Sequence, residues 1–302
     1  MQKILVIKPS SFGDIVHGLQ IIQSMKRQMP DVTIDWVVRD IFAPVVQRAK
    51  CVDRVFIFYR NQGLRGFLKL IQNLQQTHYD YVIDLQGLFR SAFLAKCCHG
   101  TTKIGRGDGR EFSTFFYNKK IPFPKKNKPH AIEILMELLP LFGCKKELCE
   151  ELEFKDGGKP KFILEEPYIL MFPDSRRPEK EWPYFSELTD HILETTPSYV
   201  VWAGQKEMNY PKEHACFTNL MGKTSIADTV DLIRRASYVV TNDSGPMHLA
   251  AAMNKNIVAF FGPTNIEEFG PYPIKKHKDS LFSSPKKDIS SIKVNDFHIN
   301  WV

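Results

Sequence analysis

The chain has 302 residues, about twice the usual domain length, so there is room for two cores of roughly 150 residues each. With 43% apolar and 25% charged residues it has an ordinary globular composition, which excludes disorder, collagen-like repeats and a coiled coil. The formal net charge of +7 points to an anionic partner, with nucleic acid, a phospholipid surface and a phosphorylated sugar as the open classes.

No apolar run approaches the ~20 residues of a membrane-crossing helix, and the run Ile4-Leu5-Val6-Ile7 behind Met1 is too short for a signal-peptide core. The expected compartment is the cytoplasm. The six cysteines, Cys51, Cys97, Cys98, Cys144, Cys149 and Cys216, form no Cys-x-x-Cys pair and none has zinc-finger spacing to a histidine. They are expected to be buried reduced thiols, with no metal site.

The first predicted element is a strand from Lys3 to Lys8. It runs into the turn Pro9-Ser10-Ser11-Phe12-Gly13-Asp14, after which Ile15, Leu19, Ile22 and Met25 recur at helical spacing. Further strands are predicted at Thr33–Val38, Arg54–Phe58 and Tyr81–Leu85, with a helix over Phe67–Gln76. Around Glu153–Glu166 the chain turns polar, with Gly157-Gly158 and Pro160, which predicts a linker between domains 1–155 and 156–302. The alternation then restarts. Strands are predicted at Tyr168–Phe172, Tyr199–Trp202, Tyr238–Thr241 and Ile257–Phe261, and helices at Ser225–Ala236 and Pro246–Met253. Strands alternating with helices predict an α/β protein with parallel sheets, two doubly wound halves facing each other across a cleft. For the last fifteen residues, packing back on the first half is one option.

Open parallel sheets bind ligands beyond the carboxyl ends of their strands, so the segments after each strand are the candidate sites. Lys8 to Asp14 offers two hydroxyls, backbone amides and a carboxylate at a helix start; the plain alternative for Asp14 is a helix cap. Thr241-Asn242-Asp243-Ser244-Gly245-Pro246-Met247-His248 has Pro246 in the first helical turn and amides suited to a diphosphate, or else Asp243 and Ser244 merely cap the helix. Phe261-Gly262-Pro263-Thr264-Asn265 should share that rim. In Asp174-Ser175-Arg176-Arg177-Pro178-Glu179-Lys180, three cations within five residues suit a phosphate, against the alternative of a solvated loop. Glu207, after Trp202-Ala203-Gly204, is placed to accept from ribose hydroxyls or is simply exposed. The first turn lacks Gly-x-Gly-x-x-Gly, which disfavours a nicotinamide or flavin site, and no Gly-x-x-x-x-Gly-Lys-Ser/Thr loop is present for ATP hydrolysis.

Taken in order, Ile4 to His17, Asp84-Leu85-Gln86-Gly87-Leu88-Phe89-Arg90-Ser91-Ala92, Phe116-Tyr117-Asn118, Lys180-Glu181-Trp182-Pro183, Thr241 to His248 and Phe261-Gly262-Pro263-Thr264 resemble glycosyltransferase family nine, the ADP-heptose:lipopolysaccharide heptosyltransferases. The resemblance spans both halves. It implies a GT-B fold of two Rossmann-like domains, the first holding the acceptor and the second the nucleotide sugar. It further implies inversion at the anomeric carbon without a metal or other cofactor, and closure of the two domains during transfer.

On that resemblance Asp14 is the general base. The donor ADP-heptose would be held by Ser175, Lys180, Glu207, Asp243, Ser244, Gly245, Met247 and His248, with Lys180 and the amides of Ser244, Gly245 and Met247 facing the leaving diphosphate. The acceptor, Kdo on lipid A, would meet Ser10, Ser11, Gly13, Arg60, Gln86 and Arg110. A diffuse basic surface of Arg65, Lys103, Arg106, Lys119 and Lys120 would lie around it, at the cytoplasmic face of the inner membrane. The Gln86 to Ala92 and Phe116-Tyr117-Asn118 segments look more like the enzyme adding the first heptose than the second. The chain is somewhat short for the family, with a compact stretch between residues 120 and 165. A transferase acting on another inner-core acceptor and a non-catalytic nucleotide-binding protein are the alternatives. A nucleic-acid-binding domain fits poorly, because its cations should be interleaved with stacking aromatics.

Overall fold

The computed structural model describes residues 2–296, 298, 299 and 301. The chain divides into two compact units, Met1–Asp156 and Gly157–Val302. Among the described residues each unit contains a six-stranded sheet, and every strand pairing is parallel.

In the first unit the strands are β1 (Gln2–Ile7), β2 (Val32–Arg39), β3 (Arg54–Phe58), β4 (Tyr79–Asp84), β5 (Gly100–Arg106) and β6 (Lys119–Ile121). The helices are α1 (Phe12–Gln28), α2 (Ala43–Arg48), α3 (Gly63–Gln75), α4 (Phe89–Cys97) and α5 (Ala131–Met136). The second unit has β7 (Tyr168–Phe172), β8 (Tyr199–Gly204), β9 (Phe217–Met221), β10 (Tyr238–Asn242), β11 (Asn256–Phe261) and β12 (Leu281–Ser283), with α6 (Phe185–Thr195), α7 (Ile226–Arg235) and α8 (Gly245–Ala252). Spatial order is β3-β2-β1-β4-β5-β6 in one sheet and β9-β8-β7-β10-β11-β12 in the other. Both are the doubly wound 3-2-1-4-5-6 order, whose direction reverses between the first and fourth strands and leaves a crevice at their carboxyl ends.

The period-2 geometry of strands explains how both faces are filled. Leu5 and Ile7 of β1 pack with Leu70, Ile71 and Leu74 of α3 and Leu94 of α4. Trp36 of β2 faces α1 instead, where a Cβ on Gly18 would stand 3.1 Å from its ring. Helix α1 is buried continuously from Ile15 to Met25, as a helix sandwiched under a sheet and a returning chain must be. In the second unit Ile169, Met171, Val200, Trp202, Val240 and Phe260 form one core with Phe185, Leu188 and Ile192 of α6.

Three sequence expectations need correction. The linker does not start at Glu153. Gln23 on α1 donates to Glu151 O (2.6 Å) and accepts from Glu153 N (2.8 Å), and Phe154 bridges to Ala49, so residues through 155 belong to the first unit. The C-terminal segment packs on the second unit: Ile289, Ile292 and Trp301 join its core, and Ile292 O accepts from the Trp182 indole (2.8 Å). Within it, Phe297, Asn300 and Val302 lie outside the described residues. The cysteines are all free, but only Cys51, Cys98 and Cys144 are buried; the other three are half-buried. Burial pushes the Cys51 and Cys98 thiols up to about 12, which leaves them as inert hydrophobes.

His277 closes a short helical turn, Ile274–His277, in the second unit and is 4% exposed; its Nε2 has no hydrogen-bond partner among the described residues. Burial, with a smaller push from Lys276, lowers its pKa from 6.5 to about 4. The unfolded chain therefore takes up this proton first, and stability falls as pH drops from 6.5 toward 4. His277→Gln is expected to shrink the loss of stability between pH 7 and pH 5 by on the order of 1 kcal/mol, read from urea midpoints at the two pH values.

Candidate functional site

The switch point of the first unit lies between the loops after β1 and β4. Asp84, the last residue of β4, is fully buried there and must have its oxygens satisfied. One oxygen accepts the backbone N–H groups of Gln86 (2.8 Å) and Gly87 (3.1 Å), and the other accepts the Tyr117 hydroxyl (2.8 Å). Burial raises the Asp84 pKa, and its hydrogen bonds to Ser91, Tyr117, Gly87 and Gln86 oppose that. The turn requires Gly87, at φ +71°, and Tyr117 reaches Asp84 only because residue 105 is glycine: a Cβ there would stand 2.2 Å from the ring. The carbonyl of Gly87 then accepts from Arg110 N (2.8 Å) and Ser113 Oγ (3.1 Å).

Asp14 occupies the third position of α1, its side chain 43% exposed. Its Oδ2 accepts from the backbone N–H (3.1 Å) and the hydroxyl (2.8 Å) of Ser11 and lies 3.8 Å from Lys8 Nζ. Asp14 is thus a capping residue and a solvent-exposed carboxylate at once. Lys8 is almost wholly buried; desolvation lowers its pKa, and Asp14 pulls the other way. Ser10 N donates to the Gln86 side chain (3.3 Å), joining the two loops.

Beside them opens a pocket of about 380 Å³. Of the residues expected to meet an acceptor, Ser10, Arg60 and Gln86 line it, whereas Ser11, Gly13 and Arg110 do not. Ser11 is engaged with Asp14, Gly13 lies inside α1, and Arg110 contributes its backbone to Gly87 with its side chain exposed. Arg39, Phe58, Arg90 and Glu111 also line the pocket; Arg39 and Phe58 escape a sequence reading, since β2 and β3 end there through the fold alone, while Arg90 stood in the Asp84 to Ala92 segment without being assigned a role. Arg106 is not part of a diffuse basic surface: its guanidinium is half-buried and bound to Asp108 (2.9 and 2.6 Å).

The equivalent crevice of the second unit lies between the loops after β7 and β10. Asn242, the last residue of β10, is fully buried; it accepts from Trp182 N (2.9 Å) and donates to Pro173 O (2.9 Å). That places Lys180 beside Asp243, with Nζ 2.5 Å from the carboxylate and side chains only 16% and 7% exposed. Ser175 N donates to Glu181 (2.8 Å), while Ser175 Oγ accepts from Arg177 N (3.3 Å). Arg176 and Arg177 are exposed.

Ser244 caps α8 without a side-chain cap bond; its hydroxyl lies 3.1 Å from that of Thr241. The amides of Gly245 and Met247 open the helix, and Pro246 has none to offer. Met247 is completely buried, so only its backbone can serve a ligand. His248 is half-buried and Glu207 exposed, its stem lying over Gly222. No group of three His, Cys, Asp or Glu side chains that could hold a metal occurs among the described residues.

Two Rossmann-type units, each with a lysine–aspartate pair at its switch point and neither with a dinucleotide fingerprint, are the architecture of GT-B proteins that handle nucleotide sugars. Comparison gives the family. The profile of glycosyltransferase family 9 (heptosyltransferase) matches residues 67–295, and the chain belongs to that family. It is similar to lipopolysaccharide heptosyltransferase 1 of Pseudomonas aeruginosa (29% identity; 89% of this chain, 81% of that protein). It is also similar to lipooligosaccharide heptosyltransferase 2 of Haemophilus influenzae (28%; 87% and 84%). Among solved structures, the E. coli heptosyltransferase WaaC with ADP superposes with a TM-score of 0.82 at 24% identity, covering 98% of this chain and 97% of that one.

Two substitutions test this geometry. Tyr117→Phe removes one hydroxyl from the buried Asp84 and is expected to cost about 1–3 kcal/mol in chemical denaturation. Lys180→Met leaves Asp243 buried without its cation and should cost roughly 3 kcal/mol, of which the double variant with Asp243→Asn recovers a large part.

Proposed function

We propose that the chain transfers L-glycero-D-manno-heptose from ADP-heptose to Kdo of the lipopolysaccharide inner core on lipid A, with inversion and without a metal. The observation that carries the chemistry is Asp14: a carboxylate fixed at the start of α1 by Ser11 and Lys8 and still open to solvent, on the same loop as Pro9 and Ser10, which line a pocket walled also by Arg39, Arg60 and Arg90. The relatives' names supply the heptosyl group and the lipopolysaccharide acceptor, the WaaC structure holds ADP, and the basic pocket suits a sugar that carries carboxylates and phosphates.

In this reading the acceptor hydroxyl gives its proton to Asp14 as its oxygen attacks the anomeric carbon from the face opposite the diphosphate. The bond to the leaving phosphate oxygen breaks as the new glycosidic bond forms. Charge gathers on the departing ADP and meets Lys180 and the amides at the start of α8, fixed groups that do the work a divalent cation would otherwise do. Because Lys180 is already paired with Asp243, the diphosphate must share or displace that carboxylate. Glu207, exposed beyond β8, is left for the ribose hydroxyls. The protein would work at the cytoplasmic face of the inner membrane.

Asp14→Asn is expected to lower the turnover number by about 10²–10⁴-fold while ADP binding stays within about twofold, measured by ADP release and by calorimetry. ADP release should need both ADP-heptose and a Kdo-bearing lipid A, and excess EDTA should leave the rate unchanged. Release with an acceptor already carrying one heptose, but not with Kdo-lipid A, would overturn the first-heptose assignment in favour of the second.

A further inference from the structure

The outer face of the first unit breaks the usual amphipathic pattern. Helix α4 buries Ser91, Ala92, Leu94 and Ala95. Its opposite, solvent face therefore carries Phe89 and Phe93, 49% and 40% exposed and stacked at 6.2 Å, with Arg90 and Lys96 to either side. The apolar strip continues on both flanks. On α3, Leu64 and Leu68 are exposed one turn apart, and Phe67 between them stacks on Phe93 at 6.3 Å. Beyond α4, Phe116 packs edge-on against Phe89 at 5.7 Å, and the same turn presents Phe112 and Phe115, 78% and 82% exposed. A soluble surface tolerates scattered apolar groups, but a continuous strip of large ones marks a binding face.

Its charge says what it binds. Residues 60–120 contain ten Lys/Arg and four Asp/Glu, so most of the chain's excess of +7 is concentrated in one fifth of its length. Of the four acids, Asp84 is buried, Asp108 is bound by Arg106, Asp80 holds Lys3 N near the amino end of the sheet, and only Glu111 sits beside the strip, accepting from Phe89 N. On α3 and α4 themselves, Arg65, Lys69, Arg90 and Lys96 are exposed on the same helices as the apolar strip. Rings and cations on one face suit the headgroup region of an anionic bilayer, where rings settle at the apolar boundary and Lys/Arg meet the lipid phosphates.

We propose that the face formed by α3, α4 and the turn at 112–116 docks the enzyme on an anionic lipid surface. Phe112 and Phe115 enter the interface, and Arg65, Lys69 and Lys96 bind headgroups. The pocket mouth, lined by Phe89 and Arg90, then opens at the level of the membrane. This deepens the reading of a lipid-borne acceptor, and plain phospholipid vesicles test it apart from that reading because they carry no sugar.

The full chain is sedimented with phosphatidylcholine vesicles and with vesicles that also contain phosphatidylglycerol. Binding should rise at least about tenfold with the anionic lipid and fall with added salt. Phe112→Ser/Phe115→Ser and Arg65→Glu/Lys69→Glu/Lys96→Glu should each lose at least about tenfold in binding. A Phe115→Trp variant gives a readout independent of those replacements: the emission of the introduced indole should shift to the blue on anionic vesicles only. Equal binding to both vesicle types, unchanged binding of both replacement sets, or an indole emission that does not move would overturn the proposal. Turnover of Phe112→Ser/Phe115→Ser should fall on vesicle-embedded acceptor and hold on a de-acylated soluble one. Vesicle binding without turnover on either acceptor would overturn the transferase assignment and leave the docking face standing.

Discussion

A buried polar side chain at the end of the fourth strand organises each unit: Asp84 in one sheet, Asn242 in the other. At that point a parallel sheet gives up its ladder, and a polar group left unsatisfied there costs about 1–3 kcal/mol. Asp84 meets the demand with two turn amides and the Tyr117 hydroxyl, Asn242 with Trp182 N and Pro173 O. Each solution ties loops from distant parts of the chain to one spot. The loop after β4 is held over the one after β1, and the Lys180 loop is drawn to Asp243. The sites are the consequence of how these two groups are satisfied.

The two lysine–aspartate pairs follow the same logic with different exposures. Lys8 is buried while Asp14 stays open, so the carboxylate is presented outward and the cation steadies it from behind. Lys180 and Asp243 are both largely covered, so the cation is held in place and its charge mostly balanced in the absence of ligand. A desolvated pair contributes little net stability, yet removing one partner is expensive. Both lysines are therefore positioned at small cost to the fold, and an arriving diphosphate meets a cation whose direction is already set.

Central elements were legible in the sequence because burial on both faces writes continuous apolar runs, and β1, β7 and β11 lie within a residue or so of their predicted bounds; the half-exposed edge strand β3 matched its predicted bounds through its own apolar run Val55-Phe56-Ile57-Phe58. What escaped was the periphery. Strand β5 reads Gly-Thr-Thr-Lys-Ile-Gly-Arg, β6 and β12 have three residues each, and β9 is half-exposed at its start, so none carries a clear apolar signature. Asp14 stood out because it follows a strand at a helix start. Its neighbours Arg39 and Phe58 did not, since they converge only through the order of strands. Lys180 and Asp243 are separated by 63 positions, and nothing local to either announces the pair. Tyr117 and Asp84 belong to recognisable motifs, yet their bond shows them to be supports for the loop.

The distribution of charge and aromatics separates two tasks that composition alone merges. A uniform excess of +7 would steer any polyanion at long range and be screened over about 8 Å at physiological salt. Here most of the excess falls within residues 60–120, where Arg65, Lys69, Arg90 and Lys96 share α3 and α4 with the exposed Leu64, Leu68, Phe89 and Phe93. Such an interleaved surface was the mark expected of a nucleic-acid binder, so the scatter of cations in the sequence was a poor guide to their arrangement in space. Stacking bases need a groove with spaced platforms, whereas these rings pack on one another, Phe89 stacked on Phe93 and Phe116 edge-on against Phe89. A ring already packed against its neighbour can still be wetted by lipid chains along its free edge. That geometry fits a planar apolar boundary.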